Sequence, residues 1–294
     1  MQKIIEKAGV LIEALPYIQR FRNAVVVVKF GGSAMEEKTQ SDGILLDIAF
    51  MECVGMLPII VHGGGKAISR KMKKEGVASS FVKGLRVTCD KSIRIVEQVM
   101  KEELNPAIVS TLTRMGAKAQ GLNGEDVFQV TKVKEVDSET GKTLDWGYVG
   151  TPHGVDLTLV KAMLKKRIVP VITPLGTGKD GKIYNINADV AAAALAGALK
   201  ARKLVFLSDV PGLLRNPKDE STLIPTLDAG DVANLVTEGV IDGGMLPKVN
   251  SGIEALRSGV KKVHMIDGRM SHSLLLEVFT DKGVGTEIVS NDQK

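Results

Sequence analysis

Residues Val25 to Ser33 read VVVVKFGGS. Four successive β-branched residues make a run too short and too stiff for a helix, so the stretch is read as a strand buried on both faces. It delivers Lys29 and then the pair Gly31-Gly32. Glycines let a backbone come close to a ligand, a following helix turns free N–H groups toward an anion, and the lysine adds a point charge. A tight turn beside a solvated lysine is the alternative for this stretch by itself. The same pattern returns downstream: Leu57 to Val61 is apolar and ends in His62-Gly63-Gly64-Gly65, and Lys66 to Glu75 has helical spacing. Strand, glycines and helix, twice in succession, predict parallel strands with crossover helices and two phosphate-friendly loops at one sheet edge.

Outward from this core, residues 3 to 21 place Ile4, Ile5, Ala8, Leu11, Ile12, Leu15, Ile18 and Phe21 at helical spacing. This predicts an amphipathic arm, kinked at Pro16. Asp42 to Val54 and Lys91 to Met115 are helical by pattern, the second kinked or broken at Pro106. Phe128 to Val133 and Gly147 to Val149 read as short strands around a loop, Asp137 to Lys142. A helix over Asp156 to Lys166 leads to a buried strand, Ile168 to Thr173, a loop, Gly176 to Gly181, and a short strand, Lys182 to Ile186. Asn187 then suits the N-cap of the alanine-rich helix Ala188 to Lys200. Strands over Leu204 to Ser208, Val260 to Ile266 and Thr286 to Val289 alternate with helices over Asp228 to Glu238, Pro247 to Ser258 and Ser271 to Phe279. No linker interrupts the pattern, which predicts one α/β sheet with two lobes and a seam near Pro174 to Gly181.

Composition narrows the function classes. The chain has 294 residues, 44% hydrophobic and 25% charged, as in a soluble globular protein. A net charge of +5 with no basic block and only 4% aromatics argues against nucleic acid and suits a phosphorylated or carboxylated small molecule. Cys53 and Cys89 stand singly, which argues against a zinc site or a disulfide framework and fits a reducing cytoplasm. Residues 1 to 22 contain Glu6 and Glu13 and no unbroken apolar core, so neither a secretory signal nor a membrane span is expected.

Two nucleotide motifs are excluded. Gly176 to Gly181, GTGKDG, matches G-x-G-x-x-G formally, but a strand pattern follows where the dinucleotide fingerprint needs a helix. Gly65-Lys66 is followed by alanine and lacks the upstream glycine of a P-loop. Among single residues, Arg86 reads on spacing alone as a surface ion pair, with a bidentate clamp on a carboxylate as the alternative. Asp189, in a first helical turn, fits dipole compensation, and Asn185 fits a turn. Lys248 near a helix start is mildly unfavourable, a small hint of another purpose. His62, His153, His264 and His272 have no metal spacing and no paired nucleophile.

Taken in order, VKFGGS, VHGGGK, GLRVT, YNINAD, LSDVPGLL and GGMLPKV resemble the amino acid kinase family, and within it the branch that phosphorylates N-acetylglutamate. The resemblance covers nearly everything from Val25 onward. It implies a three-layer α/β/α sandwich with a mainly parallel central sheet, preceded by a helical arm over residues 1–24. The kinase domain would span 25–294, with the acyl-substrate lobe at 25–175 and the nucleotide lobe at 176–294. ATP with Mg²⁺ would be the phosphoryl donor. The resemblance further implies that Lys29 and Lys248 flank the transferred phosphoryl and that Asp189 holds both. Gly31, Gly32 and Gly63 would donate backbone N–H groups to it. Gly64, Gly65, Arg86 and Asn185 would bind N-acetyl-L-glutamate, the arginine taking the α-carboxylate, and Asp209 would touch the nucleotide. The arm and HMIDGRMSHSLLLEVFTDKGVGTEI resemble the arginine-inhibited, hexameric members of that branch, built as trimers of dimers. By position in that resemblance, Tyr17, Lys203, His264, Glu277, Gly283 and Gly285 would be the candidate arginine contacts. An ordinary N-terminal helix packed on its own domain is the alternative for the arm. A glutamate or carbamate kinase and a non-catalytic arginine sensor are the rival functions, and docking of a PII-type signalling protein is left open.

Overall fold

The computed structural model describes residues 2–136, 143–279 and 283–290, and the loop expected over 137–142 lies outside them. The arm is a single helix, α1 (Gln2–Phe21), that continues through Pro16. It is followed by β1 (Val25–Phe30), α2 (Lys38–Cys53), β2 (Leu57–His62) and α3 (Gly65–Lys74). A two-residue ribbon, β3 (Phe81–Val82) and β4 (Leu85–Arg86), comes next, then α4 (Asp90–Gln98) and α5 (Asn105–Arg114). Between these two helices the backbone forms a π-helical segment, Val99–Leu104. Pro106 supplies no N–H to the carbonyl one turn back, which accounts for the altered winding just ahead of it.

The middle of the chain forms β5 (Ala119–Leu122), β6 (Phe128–Val136), β7 (Thr143–Val155), α6 (Thr158–Lys165), β8 (Val169–Ile172), β9 (Leu175–Gly178) and β10 (Ile183–Asn185). It ends with α7 (Ala188–Leu199), β11 (Lys203–Ser208), β12 (Thr226–Asp228), α8 (Val232–Thr237), α9 (Met245–Arg257), β13 (Lys262–Asp267), α10 (Ser273–Phe279) and β14 (Thr286–Val289).

The main sheet has the order β12-β14-β13-β11-β1-β2-β8-β5. Its pairs are parallel except β13 with β14. β1 lies in the interior of the sheet, and Val26, Val27 and Val28 are fully buried, as the valine run predicts. Alternate side chains feed two cores. Val27, Ile59, Leu204 and Phe206 pack with α7 and α9 on one face, and Val26, Val28, Ile60 and Val205 pack with α2 and α10 on the other. The result is an α/β/α sandwich.

β6, β7, β9 and β10 close into a small barrel beside it. This corrects the loop expected from Gly176: Leu175–Gly178 is a strand, paired with β10 and β6. Its glycines serve close approach, since a Cβ at Gly176 or Gly178 would come within 2.5 Å of Val130 Cγ1 or Tyr184 Cε2. Residues 228–238, expected as one helix, instead close β12 and pass through a short 3₁₀ turn before α8. No helix among the described residues is long and apolar enough to cross a membrane.

Candidate active site

The parallel pairing of β1 with β2 puts Lys29 opposite Val61 and Phe30 opposite His62. Their glycine loops therefore leave the same sheet edge side by side. Gly63 N–H donates to the Phe30 carbonyl at 2.6 Å. A Cβ on Gly31 would stand 3.1 Å from the Lys29 ammonium and 3.6 Å from Gly63 Cα, so the loops meet backbone to backbone. Gly32 has φ +72°, and the Asp209 carboxylate lies against it: an added Cβ would be 2.6 Å from Oδ1.

Asp189 faces this edge from the first turn of α7. The cap of that helix is Asn187, whose Oδ1 accepts the N–H groups of Asp189 at 2.8 Å and Val190 at 3.3 Å. With capping supplied by a neighbour, the Asp189 carboxylate is free to bind cations. Lys29 Nζ lies 3.1 Å from its Oδ1, and Lys248 Nζ donates to Oδ1 at 3.1 Å and Oδ2 at 3.0 Å. Burial works to protonate Asp189, but the Lys29 and Lys248 charges outweigh it and hold the carboxyl at about 2. Burial and the facing Lys29 charge push the Lys248 ammonium below its ordinary value. Lys248 stands near the start of α9, 5.2 Å above the Phe206 ring.

Arg86 is 6% exposed, so the surface ion pair is the wrong reading of it. Its Nη2 donates to the Gly65 carbonyl at 2.8 Å and to Ser69 Oγ at 2.9 Å. Its Nη1 donates to Ser79 Oγ and faces Met72 Sδ, and the Phe81 ring covers the guanidinium at 4.5 Å. Among the described residues these hydrogen-bond partners are neutral, and burial lowers its pKa, a cost that a bound carboxylate would relieve. A cavity of about 200 Å³ joins Lys29, Gly63, Gly64, Gly65, Arg86, Asn185 and Asp189, and a neighbouring one of about 730 Å³ shares Gly32, Gly64, Gly65 and Phe81 with it. Ser69, Ser79 and Phe81 escaped the sequence reading. Ser69 carries a weak signal, one helical turn after Gly65, whose carbonyl it also binds; Ser79 and Phe81 carry none.

His62 is buried behind the loop. Its Nδ1 meets the Gly63 carbonyl at 2.9 Å while Asn105 Nδ2 faces its Nε2 at 3.2 Å, a pairing that fits the neutral ring. Burial pulls its pKa down to about 4.

The second group of candidates gathers some distance along the chain. A cavity of about 380 Å³ is lined by Tyr17, Arg20, Phe21, Lys203 and Glu277, among others, joining α1 to α10. Glu277 Oε1 lies 2.7 Å from His264 Nδ1 and 3.3 Å from Lys203 Nζ, and Oε2 accepts the Val284 N–H at 3.2 Å. Burial opposes its ionisation, yet these partners hold Glu277 at about 2. Gly283 packs on the same carboxylate, and Gly285 packs on the Met265 carbonyl of β13 instead.

Residues 24–267 match the family model described as the amino acid kinase family. Over 294 residues the chain is 48% identical to an acetylglutamate kinase of Heliobacterium modesticaldum, covering 98% of this chain and 100% of that one. Its fold is similar to the N-acetylglutamate synthase from Neisseria gonorrhoeae solved with coenzyme A and N-acetyl-glutamate, with a TM-score of 0.83 and 25% identity over 96% of this chain and 63% of that one. The same synthase solved with coenzyme A and L-arginine gives a TM-score of 0.80 at 25% identity, over 98% of this chain and 65% of that one. This chain thus spans less than two thirds of the synthase's length.

Proposed function

The chain belongs to the amino acid kinase family, and on that premise we propose that it transfers the γ-phosphoryl of ATP to the side-chain carboxylate of N-acetyl-L-glutamate, in arginine biosynthesis. The observation that carries this reading is Asp189 held between Lys29 and Lys248 at a glycine-lined sheet edge, next to the cavity that contains Arg86. A carboxylate acceptor is already ionised, so the reaction needs no general base. It needs alignment and charge neutralisation, and two ammonium groups with backbone N–H donors supply both. His62, neutral and enclosed, then serves the loop and not the chemistry.

In this reading Arg86 binds the α-carboxylate, exchanging hydroxyl partners for a charged one, and Gly64, Gly65 and Asn185 line the rest of the acceptor. Residues 25–175 form the acyl-substrate lobe and 176–294 the nucleotide lobe. ATP arrives as its Mg²⁺ complex, and Asp209, beside Gly32, meets it. The retained charges at Lys29, Asp189 and Lys248 speak against a non-catalytic sensor. Release of ADP measured in parallel with N-acetylglutamate, glutamate, carbamate and uridylate tests the reading. Preference for N-acetylglutamate is expected, and equal or faster turnover of unacetylated glutamate would overturn it.

Feedback inhibition by L-arginine belongs to the same proposal. The cavity at Tyr17, Lys203 and Glu277 offers an anionic carboxylate and a buried ammonium, complementary to an amino acid with a guanidinium. The related synthase is one that was solved with L-arginine. Assembly into a homohexamer is part of the proposal, and what supports contact between subunits is that Ile5, Val10 and Ile12 of the arm are 57%, 65% and 69% exposed among the described residues.

A further inference from the structure

Arg86 hangs on a ribbon that belongs to neither larger sheet. Among the described residues β3 and β4 pair with each other, Phe81 with Arg86 and Val82 with Leu85, and turn through positive φ at Lys83 and Gly84. A two-stranded ribbon is marginal by itself in water, so its position depends on what holds it. The Lys83–Glu135 pair at its tip is half exposed and holds it weakly.

Trp146 of β7 grips the ribbon from both sides. Its indole Nε1–H donates to the Val82 carbonyl at 3.0 Å, on the strand before the turn. Its own carbonyl accepts the Thr88 N–H at 2.8 Å, two residues past Arg86 and the end of β4. Tyr148 N–H then donates to the Thr88 carbonyl at 2.7 Å. The approach is so close that a Cβ on Gly147 would fall 2.1 Å from that carbonyl oxygen. Trp146 is 1% exposed, and it is the only tryptophan of the chain.

We propose that Trp146 is a positioning residue for the acceptor carboxylate: by tying β3 and the segment just after β4 to β7, it sets where the Arg86 guanidinium and the Phe81 ring over it stand. The inference rests on the assignment of Arg86 to the acyl substrate. An indole that left the Val82 carbonyl would leave its own buried N–H unpaired and let the ribbon drift. Lys29, Asp189 and Lys248 stand on other elements, β1, α7 and α9.

Trp146→Phe in the full chain keeps a buried ring and removes the N–H. The KM for N-acetylglutamate should rise by about threefold to tenfold, the range of one lost hydrogen bond, with kcat and the KM for ATP within twofold of wild type. A purely structural role would lower the melting temperature without this split. In the wild type, titration with N-acetylglutamate without ATP should shift or quench tryptophan emission with saturation near KM, and ATP alone should not. If the variant fails to fold, that titration decides: a saturating change supports the tether and a flat response overturns it. A normal wild type with an unchanged KM in the variant overturns the tether alone. A wild type that releases no ADP with N-acetylglutamate overturns the acceptor assignment, and the tether with it.

Discussion

Asp189 keeps its charge in a place where burial opposes it, and the two ammonium groups that make this so are the ones a transferring phosphoryl would meet. Replacing Lys29 or Lys248 by alanine should therefore lower kcat by about 100-fold, with N-acetylglutamate binding changed little, because such donors act mainly on charge that develops in the transition state. Steady-state rates with both substrates varied check this. His62 offers a test by pH. Its folded pKa of about 4 lies below the ordinary 6.5, so the unfolded chain takes up a proton that the folded one refuses. Its contribution is present above pH 6.5 and is lost as pH falls from 6.5 toward 4, by up to about 1.4 kcal/mol per pH unit. Melting curves of the wild type and His62→Gln across that window should converge as pH falls; parallel curves would mean that His62 is protonated in the fold.

At the scale of elements, the start of α7 divides two tasks between neighbours: Asn187 closes the helix and Asp189 faces the lysines. Asn187→Ala should cost about 1 kcal/mol in thermal stability by loss of the cap, with a smaller loss of rate than Asp189→Asn, which should abolish most turnover while the protein stays folded. A melt and a rate on one preparation of each variant separate the two. Asn187 was legible as a cap because an asparagine stands directly before an alanine-rich run, whereas the purpose of Asp189 was hidden by its equally good fit to the helix dipole. The interior strands β1, β2, β8 and β11 were legible for a similar local reason: both faces are buried, so the residues run apolar. β5 and β12, at the two ends of the sheet, carry AQGL and TLD and gave no such signal. β9 was hidden by glycines that let barrel strands approach and that looked like a turn.

For the whole molecule, what the sequence could not reveal was which side chains converge across elements. Ser69 reaches Arg86 from α3 and Ser79 and Phe81 reach it from the stretch that ends in β3, and Arg86 itself resembled a surface residue until the fold enclosed it. The arm was legible as an apolar stripe, though the side chains of Ile4, Ala8 and Leu11 in it lie outside the described ones. Phe21 is buried, with the Arg202 guanidinium 4.9 Å from its ring, so an informative truncation must stop short of it. Deleting residues 2–14 should yield a smaller oligomer that keeps its turnover and loses most of its response to arginine, read by light scattering and an arginine titration. An intact hexamer with unchanged inhibition would assign the exposed stripe no role in assembly. The proposed reaction places the phosphoryl on a carboxylate at the Lys29–Asp189–Lys248 edge. It is tested most directly by running the reaction with hydroxylamine, which converts an acyl phosphate into a hydroxamate. The expected result is hydroxamate of N-acetylglutamate formed mole for mole with ADP in the wild type and nearly absent in Asp189→Asn; ADP released without hydroxamate, or an undiminished yield from Asp189→Asn, would contradict it.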